Sequence, residues 1–184
     1  MMFIDRTQSF TAQLFVDNKP IATARKVINK LLEELDTGEG WHEFHRNARK
    51  HDPLELSYSE GVTPETFYFA YHDDVYTIRI KGVNTLFQAT ASMEGATRNL
   101  SIFEGDDPTY FRIINSSGNV VKMDEIPDAI SEIYLYAGPQ RRPVKSYSGP
   151  PTFPVLTDNP SRIGTPLVFK LKIIERNPSD ASWL

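Results

Sequence analysis

Four histidines are the first residues here whose type and spacing suggest chemistry. His42 and His45 stand three apart in Trp41-His42-Glu43-Phe44-His45-Arg46, His51 follows, and His72 opens the string His72-Asp73-Asp74. A metal site needs three or four donors converging at about 2.0–2.2 Å, and an i, i+3 pair on a helix points two imidazoles to one side. Cleavage of a phosphodiester by acid–base or metal-assisted attack is the chemistry such a set would do. His42, His45, His51, His72 and Asp73 are the residues to carry it. Nothing in the sequence places His72 or Asp73 beside residues 41–46, however. A solvated helix whose basic second half complements its dipole is the simpler account. No metal site and no cofactor are expected.

Basic clusters are a second possibility. Arg46, Arg49, Lys50 and His51 form one, and Arg141, Arg142 and Lys145 form another beside Tyr147. Cations interleaved with aromatics are what a single-stranded nucleic-acid groove uses. Acidic clusters at Glu104, Asp106, Asp107 and at Asp124, Glu125, Asp128 offset them, and 20 basic against 24 acidic side chains leave a net charge of −4. No global pull toward nucleic acid follows. Pro151-Thr152-Phe153-Pro154 has PxxP spacing, but a stiff connection explains it as well as a recognition motif does. Asp73-Asp74 and Asp106-Asp107 fall in turn strings, where aspartate bonds to nearby backbone. The chain has no GxSxG, P-loop, HExxH or strand-associated GxGxxG, and it lacks cysteine altogether. Thiolate metal centres, disulfides and cysteine nucleophiles are therefore excluded.

The elements that would position these residues read as follows. At 184 residues with 40% hydrophobic side chains, the chain suits one domain, taken as 1–178 with a frayed tail over 179–184. Residues 7–16 alternate as a strand. Asp17-Asn18-Lys19-Pro20 reads as a helix start, and Ile21, Ala24, Ile28, Leu31 and Leu35 form a helical stripe ended by Gly38. A shorter amphipathic helix is predicted over 41–50. Strands are predicted at 54–58, 66–71, 75–81, 85–91, 99–103, 109–114 and 119–123, joined by short turns that make neighbours antiparallel. Asp124 is predicted to cap a second core helix through Ile126, Ala129, Ile130 and Ile133. Residues 138–166, with seven of the 13 prolines, read as a long irregular crossover to a last strand at 166–174. The expected fold is α+β: one antiparallel meander packed by an N-terminal and a second helix.

Two strings carry a resemblance. Ile80-Lys81-Gly82-Val83-Asn84-Thr85-Leu86-Phe87 resembles the strand pair that bears a substrate-stacking tyrosine in ribosome-inactivating RNA N-glycosidases, with Phe87 near its place. Ala129-Ile130-Ser131-Glu132-Ile133-Tyr134 resembles a later helix of that family. The resemblance implies a strand, helix, meander, helix order over at most three quarters of the chain. The family's catalytic glutamate and arginine, one turn apart on a late buried helix, are not matched: Glu94 and Arg98 fall in a turn and Glu175-Arg176 follow a strand. No catalytic residue is carried over.

The expected function is therefore non-catalytic recognition of another protein, in the manner of an inhibitor, immunity protein or accessory subunit. Aromatic anchors dominate interface energetics, which makes Tyr134, Tyr136, Tyr147 and Phe153 the candidate contacts, with Arg141 and Arg142 beside them. The alternative is an RNA- or phosphodiester-directed enzyme built on the histidines. The N-terminal string lacks a basic head followed by an apolar stretch, and no apolar run approaches the ~20 residues that span a bilayer. A cytoplasmic protein without membrane contact is expected.

Overall fold

Alternation of apolar and polar residues runs further along this chain than its helical stripes do. A computed structural model describes residues 3–34, 42, 46, 52, 54–80, 89–148 and 154–179, and strands make up 51% of them. In chain order these are β1 (Asp5–Val16), β2 (Lys19–Thr23), β3 (Leu56–Tyr58), β4 (Phe67–His72), β5 (Val75–Ile80), β6 (Thr90–Glu94), β7 (Asn99–Phe103), β8 (Phe111–Asn115), β9 (Val120–Val121), β10 (Ile130–Ala137), β11 (Arg142–Pro143), β12 (Lys145–Ser148), β13 (Pro154–Thr157) and β14 (Phe169–Arg176). Helix α1 (Ala24–Glu34) lies between β2 and β3.

Six strands close on themselves in the order β1, β4, β5, β8, β10, β14, every pair antiparallel. Closure satisfies the edges that an open sheet would expose. The long β1 meets β4 on one edge, with Phe10 opposite Phe69, and β14 on the other, with Leu14 opposite Leu171. The ring joins β5 to β8 through the single pair Tyr76–Phe111. Further along β5 the partner is β6 instead, and the sheet continues through β7 and β13 to β12 as a wing.

Period-two alternation fills the barrel. Phe10, Ala12 and Leu14 of β1, Phe67 and Phe69 of β4, Tyr76 and Ile78 of β5, Phe111 and Ile113 of β8, Ile133 and Leu135 of β10, and Phe169 and Leu171 of β14 are all buried in one cluster. Phe10 stacks on Phe69 at 4.8 Å between centroids, and Tyr76 meets both rings edge-on. Burying one such side chain stabilises the fold by roughly 2–3 kcal/mol. The Tyr76 hydroxyl donates to the Gln8 carbonyl at 2.9 Å and accepts from the Met123 amide at 3.0 Å. It thereby ties β5 to β1 and to the short 3₁₀ turn Met123–Glu125.

The α+β expectation is overturned: the fold is mostly β, a closed barrel with extra strands, and α1 is the one continuous helix among the described residues. Three local misreadings account for this. Asp17 and Asn18 have φ of 48° and 64°, the primed geometry that hairpins favour, so they turn β1 into β2. The helix starts later, at Ala24, and the preceding Thr23 accepts from the Lys26 amide through its Oγ1 at 3.4 Å. The predicted second helix is the 3₁₀ turn followed by β10. Ile133, Leu135 and Ala137 satisfy a strand period, and β8 and β14 supply partners on both edges, so tertiary pairing overrides the helical stripe. The proline-rich crossover is not wholly irregular: it contributes the short strands β11, β12 and β13. The expected antiparallel pairing of neighbours holds for the hairpins β4–β5, β6–β7 and β8–β9.

Of the helix predicted over 41–50 only His42 and Arg46 are described, both helical and exposed. Residues 81–88, including Phe87 of the N-glycosidase-like string, lie outside the described residues, as does the predicted tail apart from Ser179. The second string of that resemblance is a strand here, so the implied order of elements is not kept.

Candidate functional site

Three connecting segments line one cleft. The first joins β6 to β7, where Gly95 and Arg98 both have positive φ (70° and 56°). The second is the run 104–110 leading into β8. Its Thr109 amide donates to Ser92 Oγ at 2.9 Å, and Thr109 Oγ1 accepts from the Met93 amide at 3.1 Å. Ser92 Oγ lies 2.6 Å from Glu94 Oε1, a hydroxyl donating to a carboxylate. The third turn, between β10 and β11, has positive φ at Gly138 and Arg141 (69° and 51°). The Gly138 amide donates to the Tyr110 carbonyl at 2.8 Å, and Arg112 Nη1 donates to the Gly138 carbonyl at 3.3 Å. These bonds fix the turns around a cleft of about 490 Å³, lined by Glu94, Arg98, Asp107, Tyr110, Gln140 and Arg142 among others.

Arg98 is the most constrained of these side chains. Its Nε and Nη2 donate to Asp158 Oδ1 and Oδ2 at 3.0 and 2.9 Å, a bidentate pair, and Nη1 donates to the Met93 carbonyl at 3.0 Å. The Asp158 side chain is fully buried. Its hydrogen bonds and charge hold the Arg98 guanidinium above its ordinary pKa, against the opposing effect of burial. A fork of this kind sets the plane of the guanidinium as well as its charge.

The residues singled out from sequence fall in several places. Tyr134 and Tyr136 are half-buried on β10, at outward positions between the inward Ile133, Leu135 and Ala137. Tyr136 pairs with Arg112 and with Pro143. Arg142 pairs with inward Ala137; it stands on the opposite side of the strand pair from the tyrosines and reaches the cleft. Arg141 is exposed in the adjoining turn. Tyr147 lies apart on β12, its hydroxyl donating to Asn99 Oδ1 at 3.2 Å and its ring under the Arg162 guanidinium at 4.2 Å. Phe153, His45 and His51 lie outside the described residues.

His72 is buried at the end of β4, with Nε2 2.9 Å from Thr77 Oγ1 and its ring edge-on to Tyr110. Burial holds its pKa below the ordinary value, and the nearby Arg79 charge adds to that, while the Phe3 backbone opposes it. Asp73 is exposed in the β4–β5 turn with φ of 46°, which accounts for its residue type by backbone geometry. Among the described residues no three histidine, aspartate or glutamate side chains converge on a point that a metal ion would occupy.

Sequence reasoning missed Arg98, Asp158 and Tyr110. The turn at Glu94-Gly95 was legible, but Arg98 and Asp158 are sixty positions apart with no local pattern connecting them. Asp158 also sits within the stretch read as irregular. No protein-family model, curated protein or solved structure is significantly similar to this chain.

Proposed function

We propose that this is a non-catalytic recognition protein that binds another protein through the outer face of β10 and the cleft beside it. The carrying observation is the placement of Tyr134 and Tyr136: two half-buried tyrosines standing outward from a strand paired on both edges, which leads directly into the turn walling the cleft. Tyrosines held this way lose little side-chain freedom on binding, which is what an interface anchor requires. The absence of cysteine suits a reducing cytoplasm, and the mixed signs of charge around the cleft suit a protein partner better than a membrane or a nucleic acid.

The test is affinity capture from native lysate with the full chain and with a Tyr134→Ala/Tyr136→Ala variant. The wild type is expected to retain a stoichiometric protein, and the variant to lose most of it while its Tm falls by only a few degrees. Equal capture by both removes the β10 face from the interface. RNA in the eluate, revealed by nucleic-acid staining, would favour the phosphodiester-directed alternative.

A further inference from the structure

We propose that the cleft between the β6–β7, 104–110 and β10–β11 turns is a carboxylate-recognition site, with Arg98 and Arg142 forming its two cationic sides. The inference rests on the reading of the protein as a recognition module, and it names the chemistry the partner presents: an acidic side chain or a chain-terminal carboxylate.

A guanidinium carries five N–H groups. Arg98 spends three of them, two on Asp158 and one on the Met93 carbonyl. Two N–H groups remain, on a side chain that is 34% exposed and lines the cleft. Its orientation is set before any ligand arrives, because the carboxylate holding it is itself fully buried. Preorganised donors of this kind bind an anion without the cost of ordering a flexible arginine.

Arg142 completes the site from the third turn. It occupies the first position of β11, where pairing with Ala137 fixes its backbone, and the next bond along, Val144 amide to Leu135 carbonyl at 2.8 Å, continues that pairing. Among the described residues no carboxylate forms an ion pair with Arg142. A half-buried arginine without a direct ion pair among the described residues, lining the same cleft as the Arg98 guanidinium, has donors to offer a ligand. The planar fork of a carboxylate matches either of them.

Glu94 and Asp107 line the same cleft and narrow the ligand class. With two carboxylates among the lining residues, a run of phosphates meets more repulsion than a single carboxylate does, and the acids can accept from amides or cations of the same ligand. Tyr110 and Gln140 add uncharged hydrogen-bonding groups. The pattern fits one acidic group on a peptide and disfavours a polyanion.

The probes are three capped peptides added to the full chain: Ac-Gly-Asp-Gly-NH₂ with a side-chain carboxylate, Ac-Gly-Gly-Gly-OH with a terminal one, and Ac-Gly-Asn-Gly-NH₂ with neither. The Nε–H resonances of Arg98 and Arg142 in ¹⁵N-labelled protein are the readout. At least one acid is expected to shift both resonances saturably at millimolar concentration, and whichever does so identifies the source of the carboxylate. The neutral peptide should do nothing. Arg142→Gln, at a position free of the buried pair, is expected to weaken the response at least tenfold with the rest of the spectrum unchanged. Arg98→Lys, which keeps a charge for Asp158 but loses the fork, should also weaken it.

No saturable shift from either acid, or an equal shift from the neutral peptide, would overturn the proposal. So would inorganic phosphate shifting the same resonances at lower concentration than both acids. The Tyr134→Ala/Tyr136→Ala variant is expected to keep the peptide response. Loss of lysate capture in that variant with no peptide response in the wild type therefore defeats the cleft alone, and the reverse pattern defeats the tyrosine face alone.

Discussion

His72 shows what burial does to a residue that its type would recruit for catalysis. Its Nε2 is engaged by Thr77, and its ring packs against Tyr110, which lines the cleft. A folded-state pKa below the ordinary value has a definite consequence for stability. Well above about pH 6.5 the imidazole is neutral in folded and unfolded chains alike and contributes no pH dependence. Below it the unfolded chain takes up a proton that the folded one resists, so stability falls with falling pH until the folded pKa is passed. His72→Gln is therefore expected to lose less stability than the wild type between pH 7.5 and 5, measured by urea denaturation at both. An equal loss would show that other groups carry the acid sensitivity. At this scale the sequence was legible where a residue obeys local rules. The Asp73-Asp74 turn appears as read, since its backbone geometry demands residues tolerant of positive φ. The histidine set was not legible, because burial is a property of the assembled sheet.

Strands were more legible than helices, and the reason lies in what each element depends on. The strand predicted at 99–103 is β7 as it stands, and 75–81 and 66–71 match β5 and β4 to within a residue, because alternation bounded by turn residues leaves few other solutions. The run after Asp124 satisfied two periods at once, and the choice belonged to β8 and β14, which lie elsewhere in the chain. The proline-rich stretch misled for the opposite reason. Its prolines obscured Val144, Val155, Leu156, Thr157 and Asp158, all of which are buried. Removing residues 144–163 as though they were a loop is accordingly expected to abolish cooperative unfolding, because it deletes β12, β13 and the partner of Arg98. Thermal melts of that deletion would check this, and a Tm within a few degrees of wild type would contradict it. The cleft was invisible from sequence for the same reason: its walls come from three separate turns.

For the molecule as a whole, closure through one long joint and one short one makes stability uneven around the ring. β1 is paired on both edges, by six matched residues with β14 and by a second ladder with β4. The β5–β8 joint consists of a single matched pair. Native-state hydrogen exchange is expected to show the β1 and β14 amides opening only with global unfolding, while amides near Tyr76 and Phe111 exchange through a smaller opening. Uniform protection around the ring would refute that ordering. The β1–β14 joint also has a consequence during synthesis. Phe15 is matched with Lys170, so a nascent chain emerging at about 5–20 residues per second leaves one flank of its first strand unpaired for roughly 10–30 s. Throughout that interval Phe10, Leu14 and their neighbours form an incomplete apolar trough with an open hydrogen-bonding edge, which only the last strand shields.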